Sequence, residues 1–284
     1  MIKKILLLAA ALATSSFATW DFFGIPQNSP GSVKAGLYYD MDDDWSQMGF
    51  TVGGRINITP KFELSIQSFG FQFWGESECD EDTPTCNGYE DGGYGLRDMI
   101  IGGRFALTPM LNLFLDLNLP IGRDKNDGSG TTPPSHHELF LYFGGQFHND
   151  INSLKGASFG TEAGIFWGFE HHNLERGLEV HLGGEFDYTL PAAPITLVVG
   201  GQIWLRLFKS EYDNGNKDVD LHDNWSQQYK IWVGANFGVT DKLSINGRII
   251  ARSQDLKHRA KDGGRKIDME GDATGFAVDV EFKF

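Results

Sequence analysis

The chain lacks most of the features that announce a function. After residue 18 no run of about 18 apolar residues occurs, so no helix reads as membrane-spanning. Lysine and arginine number 24 against 38 aspartate and glutamate, a formal net charge of −14. Nucleic acid is therefore an unsuitable partner, because its binding is driven by neutralising phosphates with basic side chains. Cysteine is nearly missing. Cys79 and Cys86 are the only two, too few for a cysteine-only metal site. No nucleophile–base set emerges: Ser135 beside His136 and His137 lacks a third partner, and His222 next to Asp223 is equally bare. The chain reads as a non-enzyme, and no cofactor is expected.

Helical periodicity is also missing, and what takes its place is alternation. The last ten residues, "GFAVDVEFKF", put Phe276, Val278, Val280, Phe282 and Phe284 on one face and Asp279, Glu281 and Lys283 on the other. Such a period of two is the mark of a strand whose faces meet different solvents. About twelve such segments recur, near 32–41, 48–58, 62–74, 94–107, 111–120, 137–147, 157–168, 177–189, 195–208, 228–238, 243–253 and 273–284. Glycine, at 36 residues, is abundant.

The connections are as informative as the strands. Short turns such as 59–61, 108–110, 191–194 and 239–242 alternate with long polar loops at 75–93, 121–136, 209–227 and 254–272. An up-and-down barrel with two unlike ends has this order, whereas a sandwich mixes its connection lengths. In "MLNLFLDLNLP" Leu111, Leu113, Leu115, Leu117 and Leu119 share a face opposite Asn112, Phe114, Asp116 and Asn118. Five leucines from each of twelve strands would be far more than an interior needs. The apolar faces must point outward to lipid, and the fold is an all-β, transmembrane up-and-down antiparallel β-barrel of about twelve strands. Aromatics near strand ends, among them Phe71, Phe73, Trp167 and Tyr188, suit an interfacial girdle.

Residues 1–18 have the build of a secretory signal peptide, with Lys3 and Lys4, an apolar run to Ala13 and a Ser16-Phe17-Ala18 cleavage site. Residues 19–31 read as a short periplasmic segment and 32–284 as the barrel, placed in a bacterial outer membrane. In an exported chain Cys79 and Cys86 read first as a disulfide stapling the loop, with two free thiols as the other reading.

At "YGLRDMIIGGRFALTPMLNLFLDLNLPIG" the sequence resembles a family of bacterial outer-membrane barrels associated with the meta pathway of phenol degradation. The residues that carry this are Gly95 and Asp98, then Gly103-Arg104-Phe105, then Leu119-Pro120-Ile121-Gly122. Arg97 and Ile121 depart from the family's glycine and threonine. The match covers about residues 94–122. What the resemblance implies is a transporter of hydrophobic or aromatic compounds.

The inward positions are the candidate functional residues. Arg55, Asp98, Arg104, Asp116, Glu138, Glu162, Glu179, Glu185, Arg206, Arg248 and Arg252 would line a hydrated lumen, either as a solute path or as a paired, space-filling network. Phe114, Phe140, Tyr142, Phe166, Trp204 and Trp232 are inward and large, which suits an apolar track or simple filling. Expected partners are outer-membrane lipid and a small-molecule solute. A structural or surface-interaction barrel with a plugged lumen is the alternative. At the outer rim His136 and His137 open one strand and His171 and His172 close the next; four imidazoles there, with Glu138 and Glu170, would suit Zn²⁺ or Cu²⁺, or be plain loop histidines.

Overall fold

A computed structural model describes residues 29–41, 45–76, 91–122, 139–169, 174–175, 177–208, 210–213, 218–222, 227–256 and 269–284. Within them the alternating segments become strands: β1 (Gly31–Met41), β2 (Trp45–Thr59), β3 (Phe62–Glu76), β4 (Asp91–Leu96), β5 (Met99–Ala106), β6 (Leu111–Leu119), β7 (Leu139–Asp150), β8 (Ala157–Phe169), β9 (Leu174–Glu175), β10 (Gly177–Thr189), β11 (Ile195–Arg206), β12 (Ser210–Asp213), β13 (Asp218–His222), β14 (Gln227–Gly238), β15 (Leu243–Leu256) and β16 (Met269–Lys283).

Each barrel strand pairs antiparallel with its neighbours in the ring β1-β16-β15-β14-β11-β10-β8-β7-β6-β5-β3-β2, and β2 returns to β1. With β4 and β5 counted as two halves of one strand, the barrel has twelve. Closure leaves no strand edge in the membrane, where unpaired backbone groups would have no water. The seam is tied at the short-turn end. Lys283 lies opposite Ser32, Phe284 N donates to the Gly31 carbonyl at 3.1 Å, and the Ser29 hydroxyl donates to the Phe284 carbonyl at 3.1 Å.

The sequence suggested one unbroken strand over 94–107, and the structure interrupts it at Arg97 and Asp98. Phe71 pairs with Leu96 but Ser68 pairs with Ile100, so one extra residue bulges out on the β4–β5 side. Asp98 holds the break, its carboxylate accepting the Gly122 N–H at 2.9 Å. The two ends of the "Gly-x-x-Asp … Leu-Pro-x-Gly" pattern thus meet in space. β12 and β13, within the region read as a loop at 209–227, pair with each other, and β12 also pairs with β9, in a small second sheet.

Two of the short turns use one device. Thr108 Oγ1 accepts from Met110 N at 3.2 Å and Leu111 N at 3.0 Å; Thr240 Oγ1 accepts from Lys242 N and Leu243 N at the same two distances. A threonine hydroxyl in this position substitutes for a backbone turn acceptor. The turn before β8 instead needs Gly156, at φ 87°, where a side chain would also meet the Thr189 carbonyl.

Packing gives the faces their assignment. On β6 the leucines point out, with Leu115 51 % exposed, while Asn112, Phe114, Asp116 and Asn118 are all under 5 %. The same inversion holds around the ring: Phe50, Ile66, Val199, Ile231, Val233 and Ile249 are exposed, and Gln146, Glu162, Glu179 and Lys230 are buried. An apolar outside and polar inside, on a closed sheet, is a barrel solvated by lipid. A soluble barrel would show the reverse.

Candidate functional site: the barrel interior

Inward residues from β6, β7, β8, β10 and β11 form a row of rings. Phe140 and Phe166 stand 4.4 Å apart between centroids, Phe114 and Tyr142 4.8 Å, and Tyr142 and His181 4.9 Å. His181 stacks on Phe166 at 5.6 Å and 12° and meets Trp204 edge-on at 5.7 Å. These separations are those at which aromatic pairs attract beyond simple burial. The row fits because Gly164 offers no side chain: a Cβ there would lie 2.5 Å from the Tyr142 ring and 2.9 Å from Phe114. Glycine in a strand commonly marks such a close approach.

Charges are woven through the row. Tyr142 Oη donates to Glu162, whose other oxygen accepts from Gln146 Nε2 at 2.7 Å. Arg206 grips Glu179 with two nitrogens, at 2.6 and 3.1 Å, and His181 Nε2 touches the second Glu179 oxygen at 2.9 Å. A guanidinium–carboxylate contact through two N–H groups is the strong kind.

At the outer end Asp40 accepts from Gln47 at 2.7 Å and Arg252 at 3.0 Å. Gln47 continues to Gln72, Gln72 to the Tyr38 hydroxyl at 2.8 Å, and Arg97 donates to that hydroxyl at 2.8 Å. Near the short-turn end Arg55 joins Glu281 at 3.3 Å and Ser32 at 3.1 Å. Between these lies a looser group. Arg104 stands 3.9 Å from Glu63, none of its three guanidinium nitrogens has a hydrogen-bond partner among the described residues, and Gln67 donates to Asp116 beside it. Buried donors without protein partners are normally met by water.

Of the residues expected to face inward, Arg55, Arg104, Asp116, Glu162, Glu179, Glu185, Arg206, Trp232, Arg248 and Arg252 are placed within the barrel, and Trp204 meets the aromatic row. Asp98 braces the β4–β5 break and also accepts from the inward Asn118 Nδ2 at 3.5 Å. Glu138, Cys79, Cys86, His136, His137, His171 and His172 lie outside the described residues. Among the described residues no His, Cys, Asp and Glu cluster is arranged to hold a metal. Sequence reading missed Tyr38, Asp40, Glu63, Arg97 and Lys230. Lys230 shares the parity of Trp232, two residues on, which was the available signal.

No protein-family model and no curated protein matches the chain. Solved structures do. An outer-membrane channel of Pseudomonas putida F1 superposes with a TM-score of 0.60 at 11 % identity, covering 95 % of this chain and all of that one. The translocator domain of the autotransporter NalP of Neisseria meningitidis gives 0.54 at 11 % identity, over 90 % of this chain and 89 % of that one. The fold is that of bacterial outer-membrane barrels. A channel and a translocator domain share it, so the fold alone does not choose a function.

Proposed function

We propose that the protein is a narrow outer-membrane channel for the passive passage of small solutes, with aromatic or otherwise hydrophobic compounds as its preferred class. The observation that carries this is the row Phe140, Phe166, His181 and Trp204, turned into the barrel rather than toward lipid. Rings beside hydrogen-bonded charges suit a solute with a flat apolar body and a polar edge. Twelve strands lie between the filled eight-stranded barrels and the open sixteen-stranded ones, in keeping with a narrow passage. The resemblance over residues 94–122 supports the same solute class.

A second reading has its own observation. Arg104, Glu63 and Gln146 are at most 1 % exposed, as expected of a filled barrel that serves as scaffold or surface anchor. Single-channel recording of the purified full chain in planar bilayers separates the two. A channel gives discrete current steps that phenol interrupts, with shorter interruptions in Phe166→Leu. A filled barrel gives no steps.

A further inference from the structure

Lys230, inward on β14, is 7 % exposed and makes no hydrogen bond or ion pair among the described residues. The ring of Trp232 lies 5.6 Å from its ammonium. Its cross-strand partners are Gln202 on β11 and Arg252 on β15. The charges that act on it are two further cations, Arg248 and Arg252, and two carboxylates, Asp40 and Glu185. Those four already pair with one another: Arg252 with Asp40 at 3.0 Å, Arg248 with Glu185 at 3.6 Å. Of these three cations Lys230 is the one without an ion pair among the described residues. A buried ammonium left this way is costly.

We propose that Lys230 is the anchor of a binding site for an organic monocarboxylate in the lumen. One carboxylate supplies the ion pair that Lys230 lacks. Arg248, whose side chain is 30 % exposed, and Arg252, at 17 %, give the incoming anion its approach. The apolar body meets Trp232, Val198 and Ile250, which cluster directly on the short-turn side of the lysine. Trp232 is itself fixed, since its indole N–H donates to Glu185 at 2.5 Å and its ring lies across Gly200, where a side chain would strike it. The proposal rests on the channel reading and narrows its solute to an aromatic or alkyl acid.

The test is calorimetric titration of the detergent-solubilised full chain with benzoate and, separately, with benzyl alcohol, which has the same ring and no charge. Benzoate is expected to bind one to one and at least tenfold more tightly. Lys230→Met should weaken benzoate at least tenfold and, in its absence, raise the melting temperature, because an uncompensated buried charge has gone. Lys230→Gln, closer in polarity, should also lose benzoate. Equal affinity for the two probes, or unchanged benzoate binding in both variants, overturns the site. A lower melting temperature in Lys230→Met with benzoate binding retained marks a structural lysine and also overturns it. Absence of benzoate binding with intact single-channel steps defeats this site alone; binding without steps defeats the channel and leaves the site standing.

Discussion

Opposite sides of the barrel, β5–β6 and β14–β15, lie six strands apart around the ring and hold their inward cations differently. On the first, Arg104 stands 3.9 Å from Glu63, with Asp116 beside it. On the second, Arg248 and Arg252 pair with Glu185 and Asp40, and Lys230 has no ion pair among the described residues. The backbone plan is the same on both, with inward and outward side chains in strict alternation. What differs is which inward places hold charge. Low-dielectric surroundings make that difference count, because a paired and an unpaired inward charge differ most where water is scarce.

The sharpest contrast lies between two cations on neighbouring strands. Arg206 on β11 is held by Glu179, and Lys230 on β14 by no carboxylate among the described residues. Arg206→Met should cost about 3–5 kcal/mol, the usual result of breaking a buried pair by removing one partner. Urea unfolding of the refolded barrel reads this. A loss under about 1 kcal/mol would mean that the Arg206–Glu179 pair matters no more than an exposed one.

Outside, the two walls should behave alike. Leu115→Arg on β6 and Val233→Arg on β14 each place a charge against lipid and should each cost roughly 2–4 kcal/mol near mid-membrane. A large cost for one and none for the other would show that one outward assignment is wrong. A smaller effect separates close from loose glycines. Gly164→Ala sets a Cβ against Tyr142 and should cost about 1–3 kcal/mol by overpacking. Gly201→Ala, where the nearest atoms are 3.4 Å away, should be close to neutral by the same unfolding measurement.

These comparisons also mark what the sequence could and could not tell. The leucines of β6 declared their face because five in a row at period two admit one arrangement. Loop lengths declared the two ends, and the alternation in "GFAVDVEFKF" declared a strand with two unlike faces. Asp40 was hidden because Asp42 to Asp44 follow it, and an acidic run reads as loop although Asp40 shares the parity of Tyr38. Arg97 was hidden because the bulge beside it shifts the parity that alternation relies on. Which charge meets which, such as Arg252 with Asp40 at a separation of 212 residues, depends on strand register and ring closure. Neither is written in any single segment.

The most direct measurement is the current carried by single molecules of the wild-type chain in a planar bilayer. A hydrated, narrow lumen predicts discrete steps, smaller than those of sixteen-stranded porins. A protein that inserts into the bilayer, shows heat-modifiable migration as a folded barrel, and yet carries no current would contradict it.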